Sequence, residues 1–196
     1  MNAITMKKMI HCVAASSVLS FAASQSMAME PESKSDGKNH SQMSHDAHER
    51  LTDSQVIKVV STANNGEIMQ SKTAMPKLKM EETRKYAQMM INDHTANEKK
   101  GQALAKRLKL TPQVSTISTA LQNDSNKMVN KLNQSSTVDK DYMMSQVEVH
   151  RKVLMTIDKQ LIPNAKNSEL KNMLTQTRTA VAKHLEMAQQ IVAKMK

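Results

Sequence analysis

The sequence has 196 residues, a formal net charge of +10, 39% hydrophobic residues, only 2% aromatic residues and one cysteine. That length suits one ordinary domain plus an export signal, and one cysteine excludes an internal disulfide framework or a cluster of thiolate metal ligands. Two tyrosines and no tryptophan leave little to stack on nucleobases, so the basic balance is read as a lysine-studded surface with no nucleic-acid partner, suited instead to an anionic component of the cell envelope or a protein partner.

Residues 1–28 have the order of a cleavable secretory signal. Lys7 and Lys8 come first, an apolar run through Ile10, Val13, Val18, Leu19 and Phe21 follows, and Ser26-Met27-Ala28 supplies small residues for cleavage. The run is shorter than the roughly 20 apolar residues of a comfortable membrane span, and nothing later is more apolar. The expected product is therefore periplasmic and not transmembrane. Cys12 leaves with the signal, as do Lys7 and Lys8, which lowers the charge to +8.

Residues 29–50 are rich in Ser, Asp, Lys and His and read as a flexible linker, because they have almost nothing to bury. His40, Met43, His45 and His48, with Asp46 among them, place three imidazoles and a thioether on one short segment. Such a segment can wrap a copper ion, and the plainer alternative is a solvated linker with incidental histidines.

From residue 51 the apolar period becomes helical, and Gly66, Gly101, Pro76, Pro112 and Pro163 are the only breakers. The expected fold is all-α: a ferritin-like antiparallel four-helix bundle over residues 51–196 with an additional connecting helix. The first helix starts at Thr52 or Asp53 and carries the stripe Val56, Val59/Val60, Ala63, Glu67, Gln70, Ala74. The second covers residues 81–110, with Ala87, Met90, His94, Asn97, Gly101, Leu104 and Leu108 on one face and Thr111-Pro112 as its stop. A weaker helix over residues 114–132 is expected to cross the end of the bundle. Asp139 starts the next, with Met143, Val147, His150, Leu154, Ile157 and Leu161 inward and Pro163 as its end. Ser168 caps the last, with Leu170, Leu174, Thr177, Val181, His184, Ala188, Ile191 and Met195 inward. The bundle's methionines are read as flexible core filler in place of aromatics.

Each long helix thus puts one ionisable residue on its core face: Glu67, His94, His150 and His184. Burying one such group without a partner costs a few kcal/mol; four, one per helix, suggest that they meet. In an antiparallel pair two residues are level when the hinge lies midway between them. His150 and His184 satisfy this with a hinge near Asn167. Glu67 and His94 satisfy it if their hinge lies near residues 79–81, and sit about two turns apart if it is Pro76. The four can share one layer or two. As a site they would offer three imidazoles and a carboxylate to a divalent Zn, Fe, Mn or Cu ion, with Asp93 as an acceptor behind them. As a structural feature they would be a hydrogen-bonded cluster that fixes bundle register.

Four segments carry a resemblance: Asn65-Gly66-Glu67-Ile68, Met89-Met90-Ile91-Asn92-Asp93-His94, Tyr142 with Gln146-Val147 and His150, and His184-Leu185 with Ala188. In order and spacing they resemble the uncharacterised bacterial family named domain of unknown function 4142, exported proteins often labelled as outer-membrane proteins. The resemblance covers residues 51–196 and implies a ferritin-like bundle without implying an activity. Ferritin-like di-iron sites place a Glu three residues before a His; here those positions are Ile91, Val147 and Val181, so di-iron oxidation and iron storage are not expected. Phosphate loops, nucleophile elbows and zincin motifs are missing too, which points away from an enzyme. Two functions remain: a periplasmic protein that binds a transition metal in its bundle, in stress defence, or a metal-free structural or interaction module of the envelope.

Overall fold

The computed structural model describes residues 50–195. The signal segment and the candidate copper ligands His40, Met43, His45 and His48 lie outside the described residues. Five long helices account for most of what is described, and no strand occurs among the described residues. None of these helices is long and apolar enough to cross a membrane.

Helix α1 (Asp53–Ala74) starts from a capping box in which Thr52 and Gln55 each satisfy the other's backbone N–H. A 3-10 turn, Met75–Lys77, then leads to α2 (Glu81–Arg107). That helix ends earlier than the sequence suggests. Lys109 turns into the left-handed region at φ 55°, Leu110 N–H returns to Ala105 O at 2.9 Å and Lys109 N–H to Lys106 O at 3.2 Å. These two bonds close the helix in a Schellman motif before Thr111-Pro112 is reached. A lysine there bears a steric penalty that glycine avoids. Lys109→Gly should therefore raise unfolding stability by about 1 kcal/mol, read as a higher urea midpoint at unchanged slope.

Helix α3 (Thr116–Gln134) does not cross the bundle end; it runs the length of α1 and parallel to it. Gln113 N–H reaches Ser54 O, Ser125 Oγ reaches Gly66 O, and Lys77 Nζ reaches Leu132 O. The reason is topological. Helices α2 and α4 run the same way, so the chain leaving α2 must return the full length of the bundle before α4 begins. Gly66 makes the close passage possible, because a Cβ there would lie 3.0 Å from Ser125 Oγ. Gly66→Leu should cost about 1–3 kcal/mol by pushing α3 outward, and Ser125→Gly should recover part of that loss in the same urea titration.

Helix α4 (Val138–Thr156) is tied to the α1–α2 hinge by Asp139, whose carboxylate accepts from the N–H groups of Lys79 and Met80. Pro163 does not end the helical path. A π turn, Ile157–Leu161, precedes it, and the short α5 (Ile162–Asn164) carries it. Proline has no N–H and crowds the carbonyl four residues back; the widened turn absorbs both faults. The last helix, α6 (Ser168–Lys194), is capped by Asn167 rather than Ser168: the Asn167 side chain accepts from the N–H groups of Glu169 and Leu170.

Around the bundle α1 neighbours α2 and α4, and α6 closes the ring against the same two, while α3 covers α1 from outside. The apolar core is in two pieces. One contains Val56, Val60, Leu104, Leu161, Leu174 and Val181. The other contains Ala74, Met90, Leu132, Met143, Ala188 and Ile191. On every helix of the ring the ionisable residue falls between the two pieces, so polar groups span the middle of the bundle.

Candidate metal centre

Three of the four predicted inward residues converge. His94, His150 and His184 are all buried, and one ring nitrogen of each lies within 4.8 Å of those of the others. Their ring centroids are 5.9 Å (His94–His150), 5.3 Å (His94–His184) and 5.5 Å (His150–His184) apart. They come from α2, α4 and α6, and the turn near Asn167 brings the last two level. Glu67 is buried as well but is not part of that 4.8 Å group. The residue level with His94 on α1 is Asn64, three positions earlier. Glu67 therefore sits about 4.5 Å further along the axis, beside Gln146, and the polar groups occupy two adjacent layers.

Each imidazole has one nitrogen engaged and one without a hydrogen-bond partner. His94 Nδ1 lies 3.0 Å from Asn64 Oδ1. The Asn64 amide N–H donates to Glu98, and the Asn64 oxygen also accepts from Asn97 Nδ2, so His94 must donate. His150 Nδ1 donates to Gln146 O at 2.8 Å, and His184 Nε2 to the half-exposed Asp93 carboxylate at 3.0 Å. These acceptors fix the three tautomers. They leave lone pairs on His94 Nε2, His150 Nε2 and His184 Nδ1, all buried and without partners among the described residues. Asp93 thus stands behind His184 and not behind its sequence neighbour His94.

Burial sets the proton chemistry. It pushes His94 well below the ordinary 6.5, helped by the two neighbouring imidazoles. It takes His150 to about 4, with His184 adding to the drop and the Gln146 carbonyl opposing it. His184 is also lowered, mainly by burial, although the Asp93 carboxylate pulls the other way. The same desolvation raises the Glu67 carboxyl to about 7 against a smaller opposing effect of the Gln146 side chain. No well-formed bond joins those two, since Glu67 Oε2 and both amide atoms of Gln146 are without partners. At neutral pH the centre is three neutral imidazoles beside a carboxyl near its midpoint. A cavity of about 20 Å³ lined by Asn64, Glu67, His94 and His150 adjoins them, room for roughly one water.

Asn64, Glu98 and Gln146 were missed by the sequence reading. Each lies one turn from an inward ionisable residue, as Asn64 from Glu67, Glu98 from His94 and Gln146 from His150. A polar residue at that spacing on a core face is the signal that finds them. Glu98 is buried and accepts from Ser61 Oγ at 2.8 Å and Gln102 Nε2 at 2.9 Å.

The family model described as Domain of unknown function (DUF4142) matches residues 38–191, most of the chain. No curated protein and no solved structure matches it.

Proposed function

Because the chain belongs to the family described as Domain of unknown function (DUF4142), which brings no activity with it, we propose its function from the bundle interior: it is an exported protein that binds one divalent transition-metal ion through His94, His150 and His184. The observation that carries this is the set of three buried, unpartnered imidazole nitrogens whose opposite nitrogens are held by a side-chain amide, a backbone carbonyl and a carboxylate. Histidines that ligate metals are oriented in this way, and the arrangement leaves three lone pairs for a cation. Nitrogens on a tetrahedral ion with bonds of 2.0–2.1 Å lie about 3.3 Å apart, so three nitrogens within 4.8 Å of one another need close by no more than about 1.5 Å.

The water-sized cavity beside His94 and His150 offers a fourth position. A metal-bound water there would donate to the Glu67 carboxylate, which makes Glu67 a counter-charge for the ion. All-nitrogen ligation with one open position suits Zn or Cu best among Zn, Cu, Fe and Mn. In the envelope such a site would buffer metal under stress.

Elemental analysis of the mature protein, followed by titration with each of the four ions, tests this. One ion per chain is expected, with His94→Ala abolishing uptake and Asp93→Asn weakening it about tenfold. Protein that takes up none of the four ions would contradict it, and would favour the histidines as a register-fixing cluster in a metal-free envelope module.

A further inference from the structure

A second cavity, of about 270 Å³, lies between α1, α3 and α4 with Glu67 in its lining. Three small residues, Gly66, Ser125 and Ser145, are in its lining. Ala63, Leu121, Met128, Val149 and Val153 give it an apolar wall among polar neighbours. Glu67 and Gln70 are both in its lining and only 3% exposed, and each has a buried oxygen without a hydrogen-bond partner, Glu67 Oε2 and Gln70 Oε1. Gln70 is oriented by its amide nitrogen, which donates to Ser125 Oγ at 3.4 Å. That bond leaves the carbonyl oxygen as the free end.

The complement of this pair of oxygens is a group with at least two hydrogen-bond donors and a positive charge. Two buried acceptors, one of them a carboxylate, are costly to leave bare, and an ammonium group answers both at once. The mouth does not favour an anion despite its lysines: Lys152 is paired with Asp124 and Lys131 with Asp141 at 3.1 Å, and the charge of the third, Lys127, is offset by Glu148, which also lines it. The volume is below that of a drug-sized site.

We propose that this cavity binds a small primary amine with an apolar body, its ammonium held by Glu67 and Gln70 and its body against the wall of α3 and α4. The proposal goes beyond the histidine site and does not need a metal in it.

The test is a ligand-observed NMR titration of the full chain with benzylamine, in the presence of a chelator so that the histidine centre plays no part. Saturable binding at about millimolar concentration or tighter is expected for so small a probe. Glu67→Gln should weaken it at least tenfold, and benzyl alcohol, the uncharged analogue, should bind at least tenfold more weakly to the wild type. Val149→Trp, which fills the cavity, should abolish binding; should that variant fail to fold, Ser145→Leu serves the same purpose. Absence of saturation, equal binding by Glu67→Gln, or equal binding of benzyl alcohol would each overturn the proposal. Failure of metal uptake would leave benzylamine binding intact, so the two ideas fail separately.

Discussion

Replacing His150 with alanine is expected to erase the rise in melting temperature that a saturating divalent ion gives the wild-type protein. At 100 times its dissociation constant, one bound ion stabilises the folded state by about 2.7 kcal/mol, worth roughly 5–10 °C for a domain of this size. His150 supplies one of three nitrogens from the centre of the bundle, where it is 1% exposed and cannot be replaced by a neighbouring side chain. The substitution also removes the bond from Nδ1 to Gln146 O and leaves a hole, so the metal-free variant should lose about 1–3 kcal/mol. Tyr142→Phe separates the two effects. It deletes the 2.7 Å bond between Tyr142 and Ser71 hydroxyls in the same core, at a cost of about 1–2 kcal/mol, but should keep the full ion response. Differential scanning calorimetry with and without Zn or Cu measures both. An undiminished ion response in His150→Ala would put His150 outside the site.

The second large effect is on pH dependence. All three histidines have folded-state pKa values below the ordinary 6.5. The unfolded chain therefore binds more protons as pH falls below that value, and stability is lost from about pH 6.5 downward, for His150 until about pH 4. Glu67 acts in the opposite sense. Its folded pKa is raised from 4.5 to about 7, so its contribution is fully present below 4.5 and lost as pH rises through 7. Between those limits His94 and His150 outnumber Glu67. Even without His184, the unfolded chain gains about one proton over the folded one near pH 5.5, a slope of about 1.4 kcal/mol per pH unit. Metal-free protein should thus gain stability up to about pH 7, falling steeply on the acid side and staying nearly flat above it. Glu67→Gln should steepen the acid slope, and His150→Gln should reduce it. A bound ion should carry the gain to higher pH, since it competes with protons for imidazole and favours the Glu67 carboxylate. Urea titrations from about pH 4.5 to 8 read all three effects, and an acid slope unchanged in His150→Gln would contradict the buried neutral imidazole.

The bundle and the level of the histidines were legible because they rest on local, periodic features. The stripes of α1, α2, α4 and α6 have a 3.6-residue period, and an antiparallel pair fixes relative depth from its turn alone. His150 and His184 are level for that reason. The errors all involve choices that period does not decide. Whether Asn167 or Ser168 caps α6 depends on which side chain meets the N–H groups of Glu169 and Leu170. Pro163 looks like a stop, but a π turn lets the backbone pass it. The direction of α3 follows from the requirement that α2 and α4 run the same way, which no single helix reveals. Asn64 escaped notice because a stripe traced through Ala63 passes beside it, although both lie on the inward half of α1. Glu67 was placed on the right face, but the level of the α1–α2 turn puts it one layer from the imidazoles, which the sequence left open.

A crystal of the mature protein soaked in Zn²⁺, with data collected on both sides of the zinc absorption edge, examines the convergence of the histidines without relying on function. One anomalous peak is expected in the bundle interior, about 2.0–2.1 Å from one nitrogen each of His94, His150 and His184, with a water in the fourth position beside Glu67. An interior without a peak, while surface sites in the same crystal are filled, would contradict the metal centre.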